Sequence, residues 1–175
     1  MENQIPFSEV STVMEQLKHA PFLCELKEAY DNELHITIMN ATTSGCTDAH
    51  EICENTALEQ ILSHCKPIEA DPEQSFEIIF ENYIMYQVRN ESFCSYDSEE
   101  ICSGKFMIVF EKSKLLDYLM VSTDACQLDD GTFYPGEWKH YGIYTQSHII
   151  DVIALDEPRV VRQYPMPPGI LFHPG

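Results

Sequence analysis

Positive charge is what this chain most lacks. Lysine and arginine together number 10 in 175 residues, against 29 aspartates and glutamates, for a net charge of −19. The deficit is not confined to a tail. Residues 1–70 hold 12 acids and 3 bases, and residues 71–175 hold 17 and 7. Such a field repels nucleic-acid phosphates and anionic lipid, so neither nucleic acid nor a membrane surface is expected as a partner. Glycine is scarce, at 7 residues, and neither a P-loop nor a G-x-G-x-x-G string occurs, so there is no phosphate cradle. No apolar run approaches the roughly 20 residues that span a bilayer. The start, Met1 to Pro6, carries neither the basic nor the apolar segment of a signal peptide.

What is present is enough for a core. Hydrophobic residues make up 44% of the chain and aromatics 11%, which excludes a disordered composition. At this length one domain over 1–175 is the simplest division. The seven cysteines, Cys24, Cys46, Cys53, Cys65, Cys94, Cys102 and Cys126, are odd in number and irregularly spaced. That pattern suits reduced, packing thiols and a cytoplasmic location better than a disulfide framework.

Hydrophobic periodicity outlines an α+β fold, mainly antiparallel sheet with about three short helices. Val10, Val13, Met14 and Leu17 share one helical face, which predicts a helix over 8–19 with Ser8 as its cap and Pro21 as its stop. Residues 22–40 read as a hairpin turning at Asp31-Asn32. A second helix is expected over 56–65, and 69–74 read as a polar turn. Phe76, Ile78 and Phe80 alternate, and Tyr83–Val88 continues as strand, with Glu81-Asn82 as a turn or bulge between them. Residues 95–104 read as polar loop. Phe106–Glu111 is another strand, and Ser113 caps a helix over 114–122. A long acidic loop covers 123–137. Strands follow over 138–144, 148–155 and, at an edge, 158–163, before a Pro-rich tail. Without βαβ alternation, a parallel doubly wound sheet is not expected.

Three constellations carry possible chemistry. Cys46, His50, Cys53 and His64 place soft ligands close together, as a zinc site would need, although the spacing fits no standard finger or ribbon and Cys65 falls on an apolar helix face. Arg89, Glu91, His140, Tyr141 and Asp151 fall on strands that could bring them together as a ligand site, with His140 as a possible base. With only three arginines in the chain, Arg89 among acids suits a structural ion pair better than a binding site. Concavity is what separates the two. Cys94 is a candidate nucleophile without a frame, since no G-x-S-x-G elbow or cysteine signature accompanies it. Asp129-Asp130-Gly131 lacks the further oxygens of a calcium loop and reads as a turn.

The string Phe80-Glu-Asn-Tyr-x-x-Tyr86-Gln-Val-Arg-Asn-Glu-Ser92, with Lys112-Ser-x-Leu-Leu-Asp-Tyr118, His140-Tyr141 and His148-Ile-Ile-Asp-Val152, is similar to a pattern in small uncharacterised bacterial proteins. The resemblance covers roughly residues 76–160. It implies a bacterial cytosolic origin and an α+β sheet domain, and it carries no activity. Charge then favours a non-enzymatic binding protein that captures a basic protein partner, on the steering logic of immunity proteins against basic toxins. A small-ligand binder or enzyme at Arg89, Glu91, His140 and Asp151 is the alternative, and a zinc-supported domain is a third. No cofactor other than that zinc is expected.

Overall fold

The computed structural model describes residues 4–43 and 66–163. Their chain order is β1 (Gln4–Ile5), α1 (Phe7–Glu15), β2 (Phe22–Glu28), β3 (Leu34–Thr43), β4 (Ile68–Phe80), β5 (Tyr83–Asn90), β6 (Ile101–Ser103), β7 (Met107–Lys112), α2 (Lys114–Ser122), β8 (Cys126–Gln127), β9 (Phe133–Tyr134), β10 (Lys139–Tyr144), β11 (His148–Ala154) and β12 (Arg159–Gln163). The strands form two five-stranded sheets, ordered β1-β12-β4-β3-β2 and β5-β11-β10-β7-β6, and a small β8-β9 ribbon. Every pairing is antiparallel. This is the expected α+β class, built mainly of antiparallel sheet. Two α-helices fall in the described residues; the helix expected over 56–65 lies outside them.

Alternation explains how the sheets meet. Leu34, Ile36 and Ile38 of β3, Phe76, Ile78 and Phe80 of β4, and Val160 of β12 point one way. They join Met107, Tyr141, Ile143, Ile150, Val152 and Ala154 of the second sheet in one buried cluster. Phe7, Val10 and Met14 of α1 complete it. Truncating one of the large side chains here, such as Phe80→Ala, removes about 3–5 kcal/mol by the usual transfer and cavity costs. On the outer face of the second sheet, Leu115 and Leu119 of α2 pack with Ala125 and Ile153.

Several boundaries differ from the sequence reading. Helix α1 starts at Phe7 behind Pro6, with no side-chain cap, and ends at Glu15. Ser8 is inside it, where its carbonyl accepts from the Thr12 hydroxyl. Pro6 takes the cap position because its ring presets φ and its missing N–H is one that a helix start leaves unpaired. The turn at Asp31-Asn32 is where expected, with both residues at positive φ, 61° and 62°. The polar stretch 69–74 is part of β4, because the ladder with β3 resumes at Ala41↔Ala70 beyond an irregularity. A bulge accommodates Pro72, which has no N–H to give the ladder. Glu81-Asn82 is a corner: β4 belongs to the first sheet and β5 to the second. β12 is an inner strand, covered on its far side by the two residues of β1. The loops expected over 95–104 and 123–137 contain the short β6 and the β8-β9 ribbon.

Candidate functional site

On the outer face of the second sheet, polar side chains gather where β5, β10 and β11 meet. Along β11, Ile150, Val152 and Ala154 enter the shared core, so Asp151 faces outward. Its register partners are Gln87 on β5 and Gly142 on β10. Asp151 is completely buried. Its Oδ2 accepts from Gln87 Nε2 at 3.0 Å and from Arg89 Nε at 2.9 Å and Nη2 at 2.8 Å. Its Oδ1 lies 3.2 Å from His140 Nε2. Burial raises the carboxyl's pKa, but the His140 hydrogen bond, the Arg89 charge and Gln87 outweigh it and hold it below the ordinary value.

His140 is fixed from three sides. Its ring stacks on Phe110 at 4.1 Å between centroids. Its Nδ1 lies 2.8 Å from the Ser113 hydroxyl. Ser113 is the N-cap of α2, and its Oγ already accepts from the Leu116 N–H at 3.1 Å. The ionised Asp151 can only accept, so Nε2 carries the ring proton, and Nδ1 of the neutral ring then accepts from the Ser113 hydroxyl. Gly142 makes room for this packing: a Cβ there would stand 3.0 Å from the Phe110 ring and 3.1 Å from that of Tyr144.

The connection Ser113–His140–Asp151 has the residue types of a hydrolytic triad without its access. Ser113 is 2% exposed and its oxygen is engaged by two hydrogen bonds. A nucleophile needs an open approach to an electrophile. What the chain of bonds does is hold Asp151, and through it Arg89, in one orientation.

Arg89, His140 and Asp151 line a hollow of about 750 Å³, walled by the start of α2 at Lys114 and Leu115 and by the segment carrying Phe93 and Asp97. A second hollow of about 600 Å³ shares Arg89, Cys94 and Asp97 with the first and extends to Glu91, Tyr96 and Tyr144. Two of the five residues read from sequence stand apart from the network. Tyr141 points into the core, its ring 5.3 Å from Phe7 and 5.6 Å from Phe80, because strand alternation turns it opposite to His140. Burial and the charges of Glu157 and Asp156 push its hydroxyl up to about 12. Glu91 does not continue β5, because Asn90 caps a 3-10 turn over Glu91–Phe93 by accepting from the Ser92 N–H. Glu91 therefore reaches the rim of the second hollow and not the Asp151 network. Gln87 and Ser113 are the members that sequence reasoning missed. Ser113 carried a legible signal, as a helix cap, but nothing local joined it to a histidine 27 residues away.

Cys46, His50, Cys53 and His64 lie outside the described residues. Among the described residues no group of three or more histidine, cysteine, aspartate or glutamate side chains could hold a metal ion, and no helix is long and apolar enough to cross a membrane. Cys24, Cys94, Cys102 and Cys126 are free, and Cys94 Sγ donates to the Asn90 carbonyl at 3.3 Å. No protein family, curated protein or solved structure matches the chain.

Proposed function

We propose that the protein is a non-enzymatic binding module that captures a basic protein, and that the outer face of its second sheet is the docking surface. The observation that carries this is the rim of the paired hollows. Phe93 and Tyr96 are 88% and 92% exposed, three residues apart, on a segment that lines the two hollows together with Arg89. Single exposed aromatics are ordinary, but one beside each of two adjoining hollows, with Tyr118 and Ile101 also exposed around them, forms the kind of apolar centre that interfaces use. The net charge of −19 supplies long-range attraction for a basic partner, as in immunity proteins that neutralise basic toxins.

Enzymatic use of His140 as a base is the weaker reading. The ring is 2% exposed, and the hydroxyl whose proton it could take, that of Ser113, is equally buried, so neither has an open approach to a substrate.

The test places a photo-crosslinking residue at Tyr96 in cells that express the chain. The expected product is one basic protein, joined efficiently at low salt and poorly at high salt. The double variant Phe93→Ala, Tyr96→Ala should lose that partner while keeping its melting temperature. Undiminished capture by this variant, or crosslinks scattered over many proteins, overturns the proposal.

A further inference from the structure

The buried Asp151 needs a reason. Apolar side chains stand close by, with Ile108, Phe110 and Ile149 lining the same hollows. A buried ion pair is commonly replaceable by packed apolar side chains without loss of stability, so folding alone does not call for one here. Its structural product is a single oriented guanidinium. Arg89 spends Nε and one edge of Nη2 on Asp151, and its side chain remains 41% exposed in the wall that both hollows share. Among the described residues, no hydrogen bond engages Nη1 or the second Nη2 hydrogen.

Local charge sets this spot apart from the rest of the surface. Three bases and four acids line the joined hollows, against 10 and 29 in the whole chain. The other bases there are engaged: Lys114 pairs with Asp97, and Lys105 donates to the Leu17 carbonyl and lies over the Phe106 ring. Arg89 alone among these three offers a planar fork of donors, with Nη1 and the second Nη2 hydrogen not spent on Asp151.

Resting on the docking reading above, we propose that Arg89 receives one carboxylate of the partner, an aspartate or glutamate side chain inserted into the hollow from a protein that is basic overall. The global field steers the partner and the clamped guanidinium reads one group on it. A carboxylate matches the planar fork of a guanidinium through two parallel hydrogen bonds. A phosphate dianion fits less well, since it would meet the four acids of the cavity with twice the charge.

The probe is acetate, titrated against chloride at constant ionic strength, with acetamide and inorganic phosphate as comparisons. The readout is the NMR signals of the Arg89 Nε–H and of the Asn90 and Cys94 amides. Acetate should shift them saturably, phosphate more weakly and acetamide not at all. Arg89→Lys, which keeps the charge opposite Asp151 but loses the fork, should weaken acetate binding about tenfold, and weaken retention of the crosslinked partner by a similar factor. The absence of a saturable acetate shift, an equal response in Arg89→Lys, or tighter binding of phosphate than acetate overturns the inference. If Phe93→Ala, Tyr96→Ala abolishes capture while Arg89→Lys leaves it unchanged, the carboxylate fails and the docking surface stands. If the double variant has no effect, the docking surface itself fails.

Discussion

Each sheet carries a histidine between polar partners, and the partners differ in what they can donate. On the second sheet, His140 sits between a hydroxyl and a carboxylate, so the neutral ring satisfies both neighbours. On the first, His35 sits between two carboxylates, with Nδ1 2.8 Å from Glu77 and Nε2 3.0 Å from Glu33. Neutral imidazole has one N–H, so only the protonated ring satisfies both. Burial lowers the pKa of His35, but its hydrogen bonds to Glu77 and Glu33 and their charges prevail and raise it above the ordinary value. The difference teaches that neutralisation, and not the presence of a histidine–carboxylate pair, decides pH sensitivity. Asp151 is neutralised by Arg89, whereas Glu33 and Glu77 look to the histidine itself.

The largest effect expected from breaking this contrast is at Arg89. Arg89→Met leaves Asp151 buried without its counter-charge and should cost on the order of 3 kcal/mol, the lower end for a broken buried pair because Arg89 is partly screened by solvent. Urea unfolding would measure it. The double variant Arg89→Met, Asp151→Leu should recover most of that loss; failure to recover would mean that the pair is needed for the fold.

A smaller loss is expected at the other end of the chain of bonds. Ser113→Ala removes the α2 cap and leaves His140 Nδ1 without its donor, for about 1–2 kcal/mol in the same assay. If Nδ1 then finds water and the cost vanishes, the pocket is wetter than the packing of Phe110 implies.

The smallest effect concerns pH. A folded-state pKa above the ordinary value means that the His35 contribution is fully present below about pH 6.5 and is lost as pH rises through the folded pKa. Asp151 has the opposite sign: its contribution is present above the ordinary aspartate pKa and is lost as pH falls through its depressed folded value. Thermal melts of the native chain and of His35→Gln across neutral pH should therefore differ in slope, the variant losing the decline on the alkaline side. Parallel curves would show that Glu33 and Glu77 do not depend on the His35 charge.

Much of the scaffold was legible because it rests on local pattern. The alternation of Phe76, Ile78 and Phe80 placed a strand, Ser113 placed the start of α2, and Asp31-Asn32 placed a turn. The errors fell where a distant strand decided the outcome. Residues 69–74 look like a turn until β3 supplies a ladder on either side of the bulge at Pro72. Three of the five members of the Asp151 network were legible as well. Arg89, His140 and Asp151 stood out as scarce or polar residues in apolar strands. Tyr141 was misplaced only because an adjacent residue on a strand faces the other way.

By itself the sequence determined the acidity, the strand-rich class and the fact that Asp151 alternates against Ile150 and Val152. Those are properties of composition and of a two-residue period, which any short window contains. Only the tertiary structure decided that β11 lies between β5 and β10, and so that Asp151 meets an arginine 62 positions before it and a histidine 11 positions before it. Strand order and register are set by how two sheets bury their inner faces together. A sliding window over the sequence holds no information about that.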